Sequence, residues 1–464
     1  MNPIGQCHLK GRRCVPLLLV LLFVGASSSG LGCSKASSPA PRAILLIVLD
    51  TLRADRLGSY GAERPTSPEL DAWARSGRVY ERALAPSPWT LPSFASLFTG
   101  ELPSHHGAGV FEWEDGERAL ASLDPTLPTL AEQLSRAGYA TTAIVNNPYL
   151  DPAFGLARGF GHYDHVSGDN IRVRRADLMV DIALAWIDAR GAAPFFMVLH
   201  LFDVHMNYDP PPAVRGRFTR DHPSRLHLPV ADFRAIRSGR VPLGAAEISF
   251  ISAAYDEEIL FVDGQLGRLR RGLDERGLSK DLLIVLTSDH GEELFDHDGF
   301  EHGHAMWQEL LHVPLVFWGP GVRAGRESGP VSLVDLYPTL LEAVGIQTPE
   351  RSAGRSLWSN LLRGDSLPAR TLHAESVLFG PERKVALRWP YKLVRDVKNP
   401  RHRLFDLQDD PDERAGLGKR WRDVAGELNA TLLPLESVAP PSPRRRVQLN
   451  SETRENLRAL GYVE

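Results

Sequence analysis

Cysteine is scarce in this chain, with three residues among 464. Cys7 and Cys14 fall in an N-terminal stretch that we expect to be removed, which leaves Cys33 as the one thiol of the mature chain. A single thiol forms no internal disulfide, so the small disulfide-stabilised secreted folds are excluded. Packing and metal binding must therefore stabilise the protein.

A basic excess and the common nucleotide-binding motifs are also lacking. Lys and Arg number 53 against 57 Asp and Glu, which gives a formal net charge of −4. Without surplus cations to engage phosphates, we expect no nucleic-acid partner. The patterns GxGxxG, GxxxxGK and GxSxG do not occur, which argues against a nucleotide-dependent enzyme or a serine hydrolase.

Residues 1–33 have the three parts of a secretory signal. Basic residues precede an apolar run from Val15 to Val24, and small residues follow. The run is shorter than a membrane-spanning helix needs. Cys33 directly follows a Gly, as the modified Cys of a bacterial lipoprotein signal does, so we predict that Cys33 is lipidated. We expect an exported protein of the periplasm or cell envelope, anchored to the membrane by lipid; plain cleavage and an uncleaved anchor are the alternatives.

After a predicted tether at residues 34–42, three continuous apolar runs are typical of strands buried on both faces. These runs are Ile44–Leu49, Phe195–Leu199 and Leu282–Leu286. Helical patterns lie between them, which predicts an α/β fold with a mainly parallel sheet. We place the larger domain at residues 43–369 and a smaller C-terminal domain with its tail at residues 370–464.

Polar residues follow each of the three apolar runs. Asp50 ends the first run, Asp203 and His205 follow the second, and Asp289 and His290 follow the third. Ligands of parallel sheets bind beyond the carboxyl ends of the strands, so we expect these side chains to converge there. Two carboxylates and an imidazole suit one divalent cation, and we predict a metal site at Asp50, Asp289 and His290.

Thr90 is the candidate nucleophile. It precedes a predicted helix that has Pro92 in its first turn and Gly100 at its stop. Free backbone N–H groups and the helix dipole favour an anion at such a position. A hydroxyl that also binds the cation loses its proton more readily, so Thr90 is predicted both as a metal ligand and as the attacking group.

Two further segments contain candidate substrate-contacting residues. In the first, His205 is predicted to act as an acid for the leaving oxygen or as a donor to the anion. In the second, Glu301–His304, His302 and His304 are predicted to face substrate oxygens, and a second metal site is the alternative. Arg53 is predicted either to bind the anionic substrate or to pair with Asp55.

Seven segments, taken in their order along the chain, together resemble the sulfatase-like family of the alkaline phosphatase superfamily. They are Leu45–Gly61, Phe195–Pro211, Tyr255–Leu269, Leu283–His304, Val331–Ile346, Trp389–Asp396 and Leu457–Glu464. The resemblance covers nearly all of residues 43–464. It implies an alkaline phosphatase-like α/β/α sandwich with a mainly parallel, mixed sheet, followed by a smaller α+β domain with an antiparallel sheet. It also implies one divalent cation, with Ca²⁺, Mg²⁺ and Mn²⁺ as the first candidates and Zn²⁺ as a further one.

The chain departs from that family where the nucleophile is formed. Authentic sulfatases have Cys or Ser, any residue, then Pro-Ser-Arg, and that Cys or Ser becomes formylglycine. Here the segment begins with Thr90 and ends with Phe94. Oxidation of Thr gives a ketone and not that aldehyde, so we expect no formylglycine. The neighbourhood of a Lys-containing turn is occupied by Asn146, a predicted substrate contact, and His302 stands where another Lys often lies.

The resemblance therefore predicts a metal-dependent hydrolase of an anionic sulfate or phospho-ester, carried by a glycan, a lipid or a small molecule. The cation, held by Asp50, Asp289, His290 and Thr90, is expected to assist attack by Thr90, while His205 or His302 assists the leaving group. One alternative is a phosphotransferase of the phosphoglycerol type that acts on a glycan or lipid acceptor. Another is an inactive lipoprotein that binds an anionic glycan.

Overall fold

The buried run Ala43–Leu49 forms the central strand of a mixed sheet in the computed structural model. The structure describes residues 40–113, 115–166, 174–224, 226–227, 233–399 and 401–462. The predicted signal and the predicted lipidation at Cys33 lie outside these residues. All described residues belong to one compact unit, and the predicted boundary near residue 370 stays a prediction.

The β-strands of the described residues are numbered in chain order. They are β1 (Ala43–Leu49), β2 (Arg78–Leu84), β3 (Gly109–Glu112), β4 (Arg118–Ala121), β5 (Ala140–Val145), β6 (His162–His165), β7 (Phe195–Leu201), β8 (Leu282–Ser288), β9 (Glu293–Leu294), β10 (Phe300–Glu301), β11 (His312–Trp318), β12 (Gly325–Glu327), β13 (Val331–Ser332), β14 (Leu372–Glu375), β15 (Arg383–Arg388), β16 (Tyr391–Asp396) and β17 (His402–Asp406).

The α-helices of the same residues follow in the same order. They are α1 (Pro68–Ala74), α2 (Thr90–Thr99), α3 (Pro103–His106), α4 (Leu130–Arg136), α5 (Ala176–Ala189), α6 (Phe233–Arg237), α7 (Ala245–Glu275), α8 (Gln308–Leu311), α9 (Leu336–Ala343), α10 (Trp358–Arg363), α11 (Arg422–Ser437) and α12 (Ser451–Ala459). Among these helices, none is both long and apolar enough to cross a membrane.

The large sheet confirms the predicted α/β class. Within the described part of the chain it has nine strands, in the order β12-β2-β11-β8-β1-β7-β5-β6, and β13 also pairs with β2. β1 runs parallel to both β7 and β8, and β5 runs parallel to β7. β11 runs antiparallel between β8 and β2, so the sheet is mixed but mainly parallel. Helices α1 and α5 both contact α7, and α2, α4 and α9 form a second group.

The helix that begins at Thr90 has clear start and stop signals. Thr90 is its first residue, and Pro92 occupies the first turn, where a missing N–H costs no helical hydrogen bond. Gly100 ends the helix with φ +71°, a left-handed conformation that glycine adopts without a steric penalty. Every residue of α2 is buried, so its first turn is held rigidly against the sheet.

The C-terminal part contains the predicted antiparallel sheet. Strands β14 to β17 pair in sequence order, each antiparallel to the next. Helix α11 covers this sheet through a small apolar cluster, whose buried members are Ala386, Leu393, Leu404, Ala425, Leu428 and Leu432.

The chain then returns to the large α/β part. Val447 N–H donates to the carbonyl of Leu120 at 2.9 Å, next to an isolated bridge between Ala121 and Arg446. Leu457 of α12 is fully buried in the main core. Val447 therefore pairs with β4, and α12 packs in the main core.

A buried ion pair gives a test of how the antiparallel sheet is held. Lys392 Nζ of β16 lies 2.7 Å from Glu413 Oε1, and both side chains are 0% exposed. Substituting Lys392→Met leaves a buried carboxylate without its cation. We expect the free energy of unfolding, measured with denaturant, to fall by about 3–5 kcal/mol.

The matched control is Lys398→Met. Lys398 pairs with Glu112 at 3.3 Å, but both side chains are largely exposed. Solvent screening makes such a pair nearly neutral, so little change is expected. Equal losses in the two variants would contradict the role given to the buried pair.

Candidate active site

Neighbouring strands of the large sheet end at one common edge. β8, β1, β7 and β5 are adjacent and mutually parallel, so the residues that follow them lie close together. Asp289 follows β8, Asp50 follows β1, His205 lies beyond β7 and Asn147 lies beyond β5. β2 is antiparallel to β11, and β11 is antiparallel to β8, so β2 runs in the same direction as β8. Thr90, which follows β2, therefore lies at the same edge.

Asp50, Asp289 and His290 converge as the sequence predicts. One ligand atom from each lies within 4.8 Å of the others, and all three side chains are fully buried. Within the described part of the chain, Asp50 Oδ1 and Asp289 Oδ2 have no hydrogen-bond partner. Two buried carboxylate oxygens that face each other are costly unless a cation lies between them. This donor set therefore fits one divalent cation.

His290 is oriented for the same purpose. Its Nδ1 lies 2.9 Å from the carbonyl oxygen of Gly291, which can only accept a hydrogen bond. Nδ1 therefore carries the proton of the neutral ring, and Nε2 presents a lone pair. Nε2 lies 3.4 Å from Asp289 Oδ2 and 3.7 Å from Asp50 Oδ1. A second partner that fixes the tautomer in this way is typical of metal-binding histidines.

The pKa values of Asp50 and Asp289 are shifted in opposite directions. Burial and the negative charge of Asp50 raise the pKa of Asp289 to about 6. Burial alone would raise the pKa of Asp50, but the hydrogen bond with His200 holds it well below its ordinary value. The ion pairs of these acids among the described residues involve only histidines. A bound cation would favour the ionised form of both carboxyls.

Thr90 lies at the edge of this set. Its Oγ1 is 3.3 Å from His290 Nε2 and accepts a hydrogen bond from Asn147 Nδ2 at 3.1 Å. The same Asn147 amide donates to Asp50 Oδ2 at 2.7 Å. Ser93, one turn into α2, donates its hydroxyl to the carbonyl of Asp289 at 2.6 Å. The helix that carries Thr90 is thus tied directly to the predicted metal turn.

Sequence reasoning missed His200 and Asn147. His200 Nε2 lies 3.2 Å from Asp50 Oδ2, and the edge of its ring contacts Phe94 with centroids 5.2 Å apart. His200 lies inside an apolar strand, where a histidine gives no signal of its own. In the pairing of β7 with β1, the register partner of His200 is Val48, which precedes Asp50 by two residues. This register places His200 near Asp50.

A second group of side chains contains the two candidate acids. His302 Nδ1 lies 2.8 Å from Glu292 Oε1, and the ring of His302 lies 4.6 Å from that of His290 and 5.0 Å from that of His205. The hydroxyl of Tyr462 contacts both His205 and His302. The structure therefore brings His205 and His302 together next to the metal donor set, with two partners that the sequence did not indicate.

Three predicted substrate contacts lie elsewhere. Arg53 is buried, and its side-chain N–H groups make five hydrogen bonds, to Asp55, to Asp296 and to a backbone carbonyl. Of the two alternatives predicted for Arg53, the structure therefore shows the ion pair with Asp55. The side chain of Asn146 bonds to Arg174 through both its oxygen and its amide. Among the described residues, neither of these two side chains hydrogen-bonds to the side chain of Thr90 or of a predicted metal ligand.

His304 belongs to a separate cluster. Its Nε2 lies 2.7 Å from Glu293 Oε2, and His297 Nδ1 lies 2.6 Å from Glu309 Oε1. Ligand atoms of Glu293, His297 and Glu309 fall within 4.8 Å of one another. His297 pairs with Glu309 and His304 pairs with Glu293, while His297 Nε2 has no partner among the described residues.

Comparisons with known proteins agree with this architecture. A sulfatase family model matches residues 42–346. Arylsulfatase K of Xenopus laevis is 24% identical over 91% of this chain and 87% of its own length. The Delta 4,5-hexuronate-2-O-sulfatase of Bacteroides thetaiotaomicron is 25% identical over 84% of this chain and 87% of its own length.

Solved structures share the fold at lower sequence identity. A protein in complex with its substrate D-glucosamine-2-N,6-O-disulfate superposes with a TM-score of 0.72 at 20% identity, covering 86% of this chain and 98% of its own. The phosphonate monoester hydrolase of Agrobacterium radiobacter gives 0.70 at 21% identity, covering 86% and 95%. The alkaline phosphatase-like fold is thereby confirmed.

The metal donor set can be tested by composition and by stability. We expect elemental analysis to find one divalent cation per chain and Asp289→Asn to lose it. A chelator should lower the Tm of the unsubstituted protein but not of this variant, since a ligand at 100 times its Kd stabilises by about 2.7 kcal/mol.

Asp203→Asn is the matched control. Asp203 also lies beyond a strand end and is half-buried, but its Oδ1 accepts the N–H of Ala176 at the start of α5. This variant should keep its metal. Equal metal loss in both variants would count against the assigned donor set. So would a Tm of the unsubstituted protein that does not change when the chelator is added.

Proposed function

The chain belongs to the sulfatase family, and from this premise we propose that it hydrolyses an anionic sulfate ester with Thr90 as the nucleophile. One observation carries the proposal. The Thr90 hydroxyl shares the Asn147 amide with Asp50 and lies beside His290, at the edge of a donor set with two unpartnered carboxylate oxygens.

The charge of the site explains why a metal is needed. Asp50 and Asp289 would repel an anionic ester. A divalent cation held by Asp50, Asp289, His290 and Thr90 would offset that charge and lower the pKa of the Thr90 hydroxyl. Asn147 contributes without the metal, because its donated hydrogen bond orients Thr90 Oγ1 towards the acids.

Thr90 is also placed to bind the transferred group. As the first residue of α2, it lies beside backbone N–H groups that have no acceptor within the helix. These groups and the helix dipole favour the oxygens of a sulfuryl group. The bond from Thr90 Oγ1 to sulfur forms as the ester S–O bond breaks, and water then cleaves the covalent intermediate.

The leaving oxygen needs a proton, and His205 and His302 are the candidate donors. Burial lowers the pKa of His205 to about 4. Burial lowers the pKa of His302 well below its ordinary value. Burial therefore disfavours the protonated form of both rings before substrate binds. An anionic ester beside them favours their protonated form, which brings the pKa towards the range where a histidine acts as a general acid.

The names of the relatives support one substrate class. The Bacteroides relative is named for a sulfated hexuronate, and the solved complex holds a disulfated glucosamine. These names support a sulfated sugar as the substrate. A phospho-ester is the second candidate, favoured by the threonine at position 90, because an unmodified hydroxyl is the nucleophile that phosphoryl transfer commonly uses.

Substitution of the nucleophile tests the mechanism. Thr90→Ala should lower kcat by roughly 10⁴-fold or more, as removal of an attacking group does, while metal content stays unchanged. Thr90→Ser keeps a hydroxyl and should retain part of the activity. Thr99→Ala is the control, since that hydroxyl, at the other end of α2, donates to the carbonyl of Ala95. Undiminished turnover by Thr90→Ala would end the proposal.

The state of residue 90 can be read directly. Mass spectrometry of the peptide that contains residue 90 should show unmodified threonine in the resting protein. During turnover the same peptide should gain one sulfuryl group. A peptide that lacks the mass of threonine would contradict an unmodified nucleophile.

A substrate panel decides between the ester classes. Sulfate esters, phosphate monoesters and diesters, and phosphonates should be assayed with Ca²⁺, Mg²⁺, Mn²⁺ and Zn²⁺ each supplied. We expect kcat/KM to be highest for a sulfated sugar. Higher kcat/KM on a phospho-ester would favour the second candidate, and product that forms only with an added alcohol acceptor would favour a transferase. Metal binding without any turnover would leave only an anion-binding role.

A further inference from the structure

A tyrosine from the last described segment reaches the active site. Helix α12 begins at Ser451, capped by Asn450, whose side chain accepts the N–H of Thr453. Thr453 Oγ1 donates to Asp151 Oδ2 at 2.6 Å, and Leu457 is fully buried in the main core. The helix is thus fixed to the segment that follows β5 and to the main core before the chain arrives at the site.

The position of Tyr462 is set from several sides. Its N–H donates to the carbonyl of Leu457 at 2.9 Å, and its ring packs on that of Tyr149 with centroids 5.0 Å apart. Arg237 donates to the neighbouring carbonyl of Gly461 at 3.0 Å and pairs with Glu301 at 2.6 Å. The side chain is 6% exposed, so its hydroxyl has a defined place.

The hydroxyl of Tyr462 lies between the two candidate acids. It is 2.6 Å from His205 Nε2 and 2.8 Å from His302 Nε2. A hydroxyl has one proton, so it donates to one of these nitrogens and accepts from the other. One Nε2 must therefore carry a proton and the other must not.

Glu292 extends this constraint beyond the two histidines. His302 Nδ1 lies 2.8 Å from Glu292 Oε1, and Tyr208 donates its hydroxyl to Glu292 Oε2 at 3.1 Å. The contact between His302 and Glu292 therefore belongs to the same chain of hydrogen bonds as the hydroxyl of Tyr462. His205 Nδ1 has no partner among the described residues. A change of tautomer in one ring requires a change of tautomer in the other.

We propose that Tyr462 is a positioning residue of the active site, which holds His205 and His302 in opposite tautomers through a hydroxyl shared between their Nε2 atoms. The proposal rests on the proposed function for the role of the two histidines as proton donors. Without the hydroxyl each ring selects its tautomer independently, and the fraction of molecules with the productive pair falls.

Tyr462→Phe tests the proposal because it removes only the hydroxyl. With phenyl sulfate, whose leaving oxygen needs a proton, kcat should fall roughly 10- to 100-fold, the usual effect of losing a partner that orients a functional imidazole. With 4-nitrophenyl sulfate, whose leaving group departs without help, kcat should change little. KM and Tm should stay near those of the unsubstituted protein.

Tyr149→Phe is the matched control. Its ring packs on Tyr462, and its hydroxyl is buried without a partner in the described part of the chain. Activity on both esters should persist. The proposal is overturned if Tyr462→Phe lowers kcat equally on the two esters, leaves both unchanged, or lowers KM, the last of which would mean that the hydroxyl obstructs the substrate.

A readout without substrate separates this proposal from the proposed function. In ¹⁵N-histidine-labelled protein, two-bond ¹H–¹⁵N spectra should show His205 and His302 in opposite tautomers and lose that pairing in Tyr462→Phe. Unchanged histidine spectra in the variant would refute the role of Tyr462. Altered spectra in a protein that turns over no ester would refute the proposed function and leave the role of Tyr462 standing.

Discussion

The structure depends on two buried carboxylates at the ends of neighbouring parallel strands. In the pairing of β1 with β8, Leu49 is the register partner of Ser288, so Asp50 and Asp289 leave the sheet side by side. Thr51 adopts φ +58°, a left-handed conformation that costs a residue other than glycine about 1–3 kcal/mol. Its N–H lies 3.4 Å from Asp289 Oδ1, and Tyr255 donates its hydroxyl to the Thr51 carbonyl. The surrounding structure thus maintains a strained turn that keeps the acids together.

The side chains around the acids preserve their negative charge. Arg53 follows Asp50 by three residues and could have neutralised it. Instead Asp55 and Asp296 bind its guanidinium on the other side of the turn, and burial of that group is offset by their charges. The groups that contact Asp50 Oδ2 are the Asn147 amide and the His200 ring, and neither has a permanent positive charge. A cation therefore remains the best partner for the two unpaired oxygens.

Much of this arrangement could be predicted from sequence, because buried strands and helix caps leave local signals. The apolar runs before Asp50 and Asp289 located two predicted metal ligands, and Pro92 with Gly100 located the helix of Thr90. The antiparallel position of β11 and the order of strands depend on long-range pairing, which no local pattern encodes. Asn146 and Asn147 are adjacent and chemically identical, and only the exact exit of β5 decides that Asn147 faces Thr90. Tyr462 lies more than 150 residues from His302, and no spacing rule connects them.

The metal donor set and the pair of His205 and His302 are held by elements of different stability. The acids, His290 and Asn147 follow strands at the centre of the large sheet, whose loss would require global unfolding. Tyr462 depends on α12, in which only Thr453, Asn456 and Leu457 are buried. Segments with so few buried apolar contacts open locally at a lower free energy than the core. Opening of α12 would release His205 and His302 from their shared hydroxyl without displacing a single predicted metal ligand. Metal binding and proton donation are therefore separable properties of one fold, although their side chains lie within one cluster of buried rings.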